Sequence, residues 1–172
     1  LVPFLIIMSV LKAGGGAAFI AQERVGRGGK PIKLFKFRTM LFDDGGDPER
    51  QKKNSITPIG AFLRKTRLDE CPQFYNVLLG ELSLIGPRPE IPMLANAYAQ
   101  EIPHYSVRHM AQPGISGWAQ IKHAFPPKFK MDVPATREKL SYDLYYLKHQ
   151  SILLDIGIML QTLKILLGVR GR

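Results

Sequence analysis

Two acids stand side by side at Asp69-Glu70, within Arg64-Lys-Thr-Arg-Leu-Asp-Glu-Cys-Pro-Gln73. No other residues in the chain are as well placed to do chemistry. Mg²⁺ is usually held by one or two carboxylates together with phosphate oxygens, and a helix N-terminus readily receives phosphate. Paired carboxylates among Arg64, Lys65 and Arg67 therefore point to a site for a metal-bound diphosphate. The same residues also suit a plainer role. Asp69 is expected to be the N-cap of a helix, kept ionised by backbone N–H groups, with Glu70 and Pro72 in the first turn. Phe74, Val77 and Leu78 are then expected to face inward, and Gly80 to close the helix. On spacing alone, capping ranks above catalysis.

The elements that must position this pair can be read along the chain. Ala18 to Val25 and Ile32 to Met40 are expected strands, and Gly26-Arg-Gly-Gly29 supplies the turn of a hairpin. Alternation along the second strand puts Lys36 and Arg38 on one face and Phe35 and Phe37 on the other. Leu41 to Lys53, rich in Asp, Gly and charge, reads as a loop. Ile59 to Leu68 has helical spacing, with its cations near the C-terminal end where the helix dipole favours them. Ile91 to Ile102 is a further helix. Pro113-Gly-Ile-Ser-Gly117 is a turn leading into a short strand through Trp118 and Ile121, and Ala124 to Pro134 is a proline-rich loop.

The last third is helical. From Thr136 to Lys148 the residues Leu140, Leu144 and Leu147 form a stripe with Asp143 at its edge. A carboxylate turned inward needs a partner, either a metal or a salt bridge. From Ile152 to Val169 the residues Leu153, Ile156, Leu160, Leu163 and Leu167 share one side, with Lys164, Arg170 and Arg172 toward the end. Such a segment suits a membrane interface or a core helix equally.

Composition limits the classes. The 172 residues, 45% of them hydrophobic, suffice for one folded domain, 1–172, and no linker divides it. The formal charge of +10 calls for an anionic partner: nucleic acid, anionic lipid or a phosphorylated metabolite. Cys71 is the only cysteine, which excludes an intramolecular disulfide and a cysteine-rich zinc site. His104, His109, His123 and His149 lack metal-ligand spacing. The apolar run at Leu1 to Leu11 is shorter than the roughly 20 residues that span a bilayer, and it does not open with methionine. Length alone leaves two readings open, an ordinary core helix or the remnant (residues 1–13) of a re-entrant or longer membrane segment whose upstream part is missing.

Five blocks now carry a resemblance. Phe35-Lys-Phe-Arg-Thr-Met40, Arg67-Leu-Asp-Glu-Cys-Pro-Gln-Phe-Tyr-Asn-Val77, Leu82-Ser-Leu-Ile-Gly-Pro-Arg-Pro89, Pro113-Gly-Ile-Ser-Gly-Trp-Ala-Gln120 and Tyr142-Asp-Leu-Tyr-Tyr146 resemble the bacterial sugar transferases, the monotopic phosphoglycosyl transferases. They occur in the family's order from about Gln22 to the C-terminus and look like the catalytic domain of its long form. Two positions depart from the pattern: Cys71 replaces an apolar residue, and Gln112 stands before Pro113 where a basic residue is common.

The resemblance implies an α+β fold, a mostly helical, membrane-associated domain with a small β-hairpin and amphipathic interfacial helices. It implies transfer of a phosphosugar from a UDP-sugar to polyprenyl phosphate at the cytoplasmic face of the bacterial inner membrane, with release of UMP, to initiate exopolysaccharide or glycoconjugate assembly. Asp69 matches the nucleophile and Glu70 its partner acid. Lys36, Arg64 and Arg88 match active-site positions, and Arg38 joins them as a phosphate-binding cation. Mg²⁺ is the implied cofactor, with Asp69, Glu70 and Asp143 as its ligands. Membrane lipid is an implied partner, nucleic acid is not, and a homo-oligomer is compatible. The competing class is a basic nucleic-acid-binding module. It lacks a clustered basic recognition helix and an RNA-binding aromatic motif.

Overall fold

A computed structural model describes residues 7–8, 12, 17–41, 55–122 and 131–168. The chain is α+β, rich in helix, with two two-stranded sheets. Its contacts group into two compact units, neither of them continuous in sequence. One holds residues 1–22 and 33–75, the other 23–32 and 76–172.

The first unit begins with a hairpin of β1 (Phe19–Val25) and β2 (Pro31–Phe37), whose tip residues belong to the second unit. Gly28 and Gly29 take positive φ in the turn, a conformation open to glycine without steric cost. Phe37 is buried and stacks on Phe19 at 5.3 Å between centroids. Beyond β2, Met40 bridges to Ile56. Helix α1 (Pro58–Thr66) starts with Thr57, whose hydroxyl accepts from the Gly60 amide, and Pro58 occupies the first turn where a missing N–H costs nothing. Gly60 is required there, because a Cβ would collide with the Thr39 carbonyl. Ala18, Phe37 and Leu63 form this unit's core, with Ile59, Leu68 and Cys71 packed against it.

The chain passes into the second unit along α2 (Gln73–Leu78). There β3 (Ser83–Ile85) pairs in parallel with β4 (Gly114–Ser116), registering Ser83 with Gly114 and Ile85 with Ser116. Gly86 and Gly114 let the two backbones meet. A Cβ on either would lie well inside van der Waals contact with the other strand's main chain. Helix α3 (Pro92–Glu101) follows, then a 3-10 turn over Tyr105–Met110. After β4 come α4 (Trp118–Lys122), α5 (Val133–His149) and α6 (Ile152–Leu166). One core joins α3, Tyr105 and Leu140; a second joins Ile85, Tyr146 and Ile158.

Three expectations about these elements are corrected. Trp118 to Ile121 is helical, not strand, because β4 ends at Ser116 and the Gly117 carbonyl accepts the amides of Gln120 and Ile121, which starts a helical turn. Val133 and Pro134 begin α5 rather than ending a loop, with Asp132 capping through the Ala135 amide. In α2, Phe74 and Leu78 point out, Leu78 being 85% exposed, while Pro72, Gln73 and Asn76 are buried. Asn76 repays its burial by donating to Glu81 at 2.7 Å and accepting the Glu81 and Leu82 amides on its carbonyl. The expected loop at Leu41 to Lys53 lies, apart from Leu41, outside the described residues. The same is true of 123–130 and of most of the 1–13 segment. No helix among the described residues is long and apolar enough to cross a membrane.

Candidate active site

The Asp69-Glu70 pair lies in a single tight turn. Helix α1 ends at Arg67, which takes left-handed φ of 59° where glycine is usual, at a cost of about 1 kcal/mol. That reversal feeds directly into a 3-10 turn over Leu68–Glu70. The Glu70 amide donates to Arg67 and the Cys71 amide to Leu68.

Asp69 is not the cap of α2. Helix α2 begins only at Gln73, four residues on, and the amides of Phe74 and Tyr75 donate to the carbonyls of Cys71 and Pro72. At six residues, α2 is too short to offer a phosphate-binding N-terminus. The carboxylate thus lacks the amide bonds that were to keep it ionised. Its Oδ1 is buried with no hydrogen-bond donor in reach.

Electrostatics follow from that placement. Burial, and then the neighbouring Glu70, push the Asp69 pKa above its ordinary 3.8, against the pull of Lys36, Arg67 and Arg64. Lys36 is paired with Glu70: Nζ donates to Oε1 at 3.2 Å, with both side chains largely buried. Arg64 is held by its Nε, which donates to the Thr39 hydroxyl at 2.9 Å. Phe35 meets Tyr75 edge-on at 5.8 Å and Phe37 is in the core, but Leu34, which alternation puts on the same face as Lys36, is buried as well. Arg38 lies one residue past the end of β2, its amide bound to the Ala18 carbonyl. Cys71 packs against the core, and burial together with both acids raises its thiol pKa. It is a packing residue, not a thiolate nucleophile.

Arg88 and Asp143 belong to the second unit. Of the two partners open to Asp143, the structure supplies a cation: Arg108 reaches its Oδ2 with Nη2 at 2.7 Å and Nε at 2.8 Å. Arg108 was not singled out from sequence, although an inward carboxylate on α5 was a standing demand for it. Nearby, Glu90 bonds Lys139 at 3.1 Å. Burial alone would raise Glu90, but Lys139 and Arg108 outweigh it and hold the carboxyl below its ordinary value. Lys139 is also lowered, by burial and by Arg108, since both basic groups share one acid. His109 is pushed down to about 4 by burial and by Arg108, and so is neutral near pH 7. Gln112, the departure before Pro113, donates to the Gly80 carbonyl at 2.6 Å.

The donor set at the acidic pair suits a hard divalent cation. Two carboxylates are adjacent, one with an orphaned buried oxygen, and Mg²⁺ asks for no more protein ligands than that when phosphate supplies the rest. Among the described residues no group of three or more His, Cys, Asp or Glu side chains gathers to hold a metal.

The charge balance gives a direct check by carboxyl ¹³C NMR titration. Asp69 should titrate above 3.8, Lys36→Met should raise it further by removing a cation, and Glu70→Gln should lower it by removing an anion. The reverse order for the two variants would contradict the assigned causes.

The chain is similar to several known proteins. The chain is 39% identical over 164 residues to a UDP-N-acetylgalactosamine-undecaprenyl-phosphate N-acetylgalactosaminephosphotransferase of Aeromonas hydrophila, covering 94% of this chain and 38% of that one. It is 40% identical over 170 residues to a UDP-glucose:undecaprenyl-phosphate glucose-1-phosphate transferase of Xanthomonas campestris pv. campestris, covering 95% and 34%. The exopolysaccharide production protein PSS of Rhizobium leguminosarum bv. phaseoli is 40% identical over 172 residues, covering 94% and 84%. The chain therefore spans little more than a third of the first two relatives and most of the third. The bacterial sugar transferase profile matches residues 1–169, across both units, and the chain belongs to that family.

Proposed function

We propose that this chain carries the catalytic part of a phosphoglycosyl transferase, which moves a phosphosugar from a UDP-sugar to polyprenyl phosphate. The observation that carries the reading is the buried Asp69 oxygen without a donor, beside a Glu70 already matched by Lys36. A carboxylate left unsatisfied is costly to the fold, and such arrangements gather at functional sites.

In the proposed reaction an ionised Asp69 oxygen attacks the phosphorus that bears the sugar. The P–O bond to the nucleotide breaks, and UMP leaves with its electron pair. The aspartyl phosphosugar ester is then attacked by an oxygen of polyprenyl phosphate, which frees the Asp69 carboxylate. Dividing the transfer this way lets a soluble donor depart before a lipid acceptor reacts. Attack by an anion on an anionic diphosphate faces repulsion, and Arg64 and Arg38 are proposed to offset it, with Arg88 a further phosphate-binding cation that the family resemblance implies. Asp69 and Glu70 would hold Mg²⁺, which when bound neutralises phosphate charge. Lys36 keeps Glu70 in place for that role. Since the Asp69 pKa is raised, the nucleophile is lost as pH falls through that value, and activity declines at a higher pH than an ordinary aspartate would give.

The acceptor implies a membrane surface, and α6 supports one. Leu153, Ile156, Leu160, Leu163 and Leu167 recur on one side and all are exposed. Large exposed apolar faces mark membrane or protein contacts. Lys164 beside them suits anionic lipid, as does the charge of +10. The inner membrane and its cytoplasmic face are part of the proposal.

Incubated with a panel of UDP-sugars, Mg²⁺ and polyprenyl phosphate, the protein should release UMP from at least one donor. Asp69→Asn should cut the rate roughly 10³-fold or more while keeping the wild-type melting temperature or exceeding it. Activity retained in that variant would remove Asp69 as nucleophile. In sedimentation with phosphatidylglycerol vesicles, Leu160→Asp combined with Leu163→Asp should weaken binding about tenfold or more. Unchanged binding would place the membrane contact elsewhere.

A further inference from the structure

We infer that Asp143 and Arg108 form a positioning pair that sets the backbone of Arg88, and that Asp143 is not a ligand of the divalent cation. The inference rests on the proposed role of Arg88 in binding the diphosphate.

The loop that carries Arg88, Gly86-Pro-Arg-Pro89, has prolines on either side of it. Pro87 and Pro89 have no N–H to donate, so this stretch must be anchored largely through its carbonyls. Two of these are taken, and so is the next one along, on Glu90. The Pro87 carbonyl accepts the Gly114 amide at 3.0 Å, the Glu90 carbonyl accepts the Val25 amide at 2.9 Å, and the Arg88 carbonyl accepts Nη2 of Arg108 at 2.9 Å. The first two donors are backbone on paired or turn elements. The donor to Arg88 is a side chain, and its aim depends on what holds it.

What holds it is Asp143. Both side chains are 2% exposed, and one carboxylate oxygen takes Nε and Nη2 of the guanidinium together. Nη1 donates to the Tyr105 hydroxyl at 3.1 Å, and the guanidinium carbon lies 5.4 Å from that ring's centre. All three nitrogens are thereby fixed by the Tyr105–Met110 turn, α5 and the Arg88 loop. Lysine could match the charge but could not serve these directions at once.

The same contacts make Asp143 a poor metal ligand. A divalent cation on that carboxylate would lie a few ångströms from a buried guanidinium, in surroundings that screen the repulsion weakly. Asp143 thus departs from the metal role that the family resemblance implied for it.

The experiment compares wild type, Asp143→Asn, Arg108→Lys, Arg88→Ala and Arg88→Ala with Arg108→Lys. Calorimetric UMP binding, the Mg²⁺ concentration for half-maximal UMP release, and hydrogen exchange at the Gly114 amide are read on each. Arg108→Lys and Asp143→Asn should weaken UMP binding about tenfold with the Mg²⁺ requirement unchanged. The double variant should bind no worse than Arg88→Ala, because Arg108 acts through Arg88. Exchange at Gly114 should quicken in Arg108→Lys. A higher Mg²⁺ requirement in Asp143→Asn, or losses that multiply in the double variant, would overturn the inference. If Asp143→Asn fails to fold by circular dichroism, Arg108→Lys decides. Absence of UMP release by wild type would overturn the transferase reading alone, and exchange at Gly114 would still judge the positioning.

Discussion

Asp69 and Glu70 stand side by side among Lys36, Arg67 and Arg64, and the first unit's site depends on how unequally the two carboxylates are satisfied. Lys36 goes to Glu70, which leaves Asp69 half-buried with an oxygen no donor reaches. The turn that enforces this depends on a left-handed Arg67 at the end of α1 and on Gly60, whose missing side chain lets α1 lie against Thr39. A fold optimised only for stability would have bonded or removed that carboxylate.

The second unit settles a similar problem in the opposite way. Arg108 and Asp143 are both fully buried, and each satisfies the other, with Tyr105 and the Arg88 carbonyl completing the guanidinium's partners. Taking charges out of water is tolerable only with pairing of that quality. The guanidinium thereby ties the Arg88 carbonyl to α5 and to the Tyr105–Met110 turn, whereas the Asp69 oxygen is left without such a partner.

Much of this was legible in the residues. The hairpin followed from Gly26 to Gly29 between alternating strands, and α1, α5 and α6 from helical spacing, with α3 also expected. The acidic pair stood out by its adjacency among cations, and Lys36, Arg64 and Arg88 were named from the family resemblance. What failed did so for physical reasons. The spacing of Phe74, Val77 and Leu78 marks a helical face but not the medium it meets, and in α2 the buried face carries Gln73 and Asn76 instead. An acid before a helix looks like a cap, yet a 3-10 turn in between used the donors it would have bonded. Arg108 stayed hidden because a long-range ion pair, 35 residues from Asp143, leaves no local periodicity.

The central claim is that Asp69 itself becomes covalently loaded. The most direct measurement is peptide mapping by mass spectrometry after incubation with a UDP-sugar and Mg²⁺, lipid acceptor omitted and the reaction quenched rapidly in acid. A phosphosugar on the peptide containing Asp69, localised to that residue and discharged when polyprenyl phosphate is added before the quench, is the predicted result. A burst of UMP with the label on Glu70, or with transfer to lipid and no protein adduct at any quench time, would contradict it.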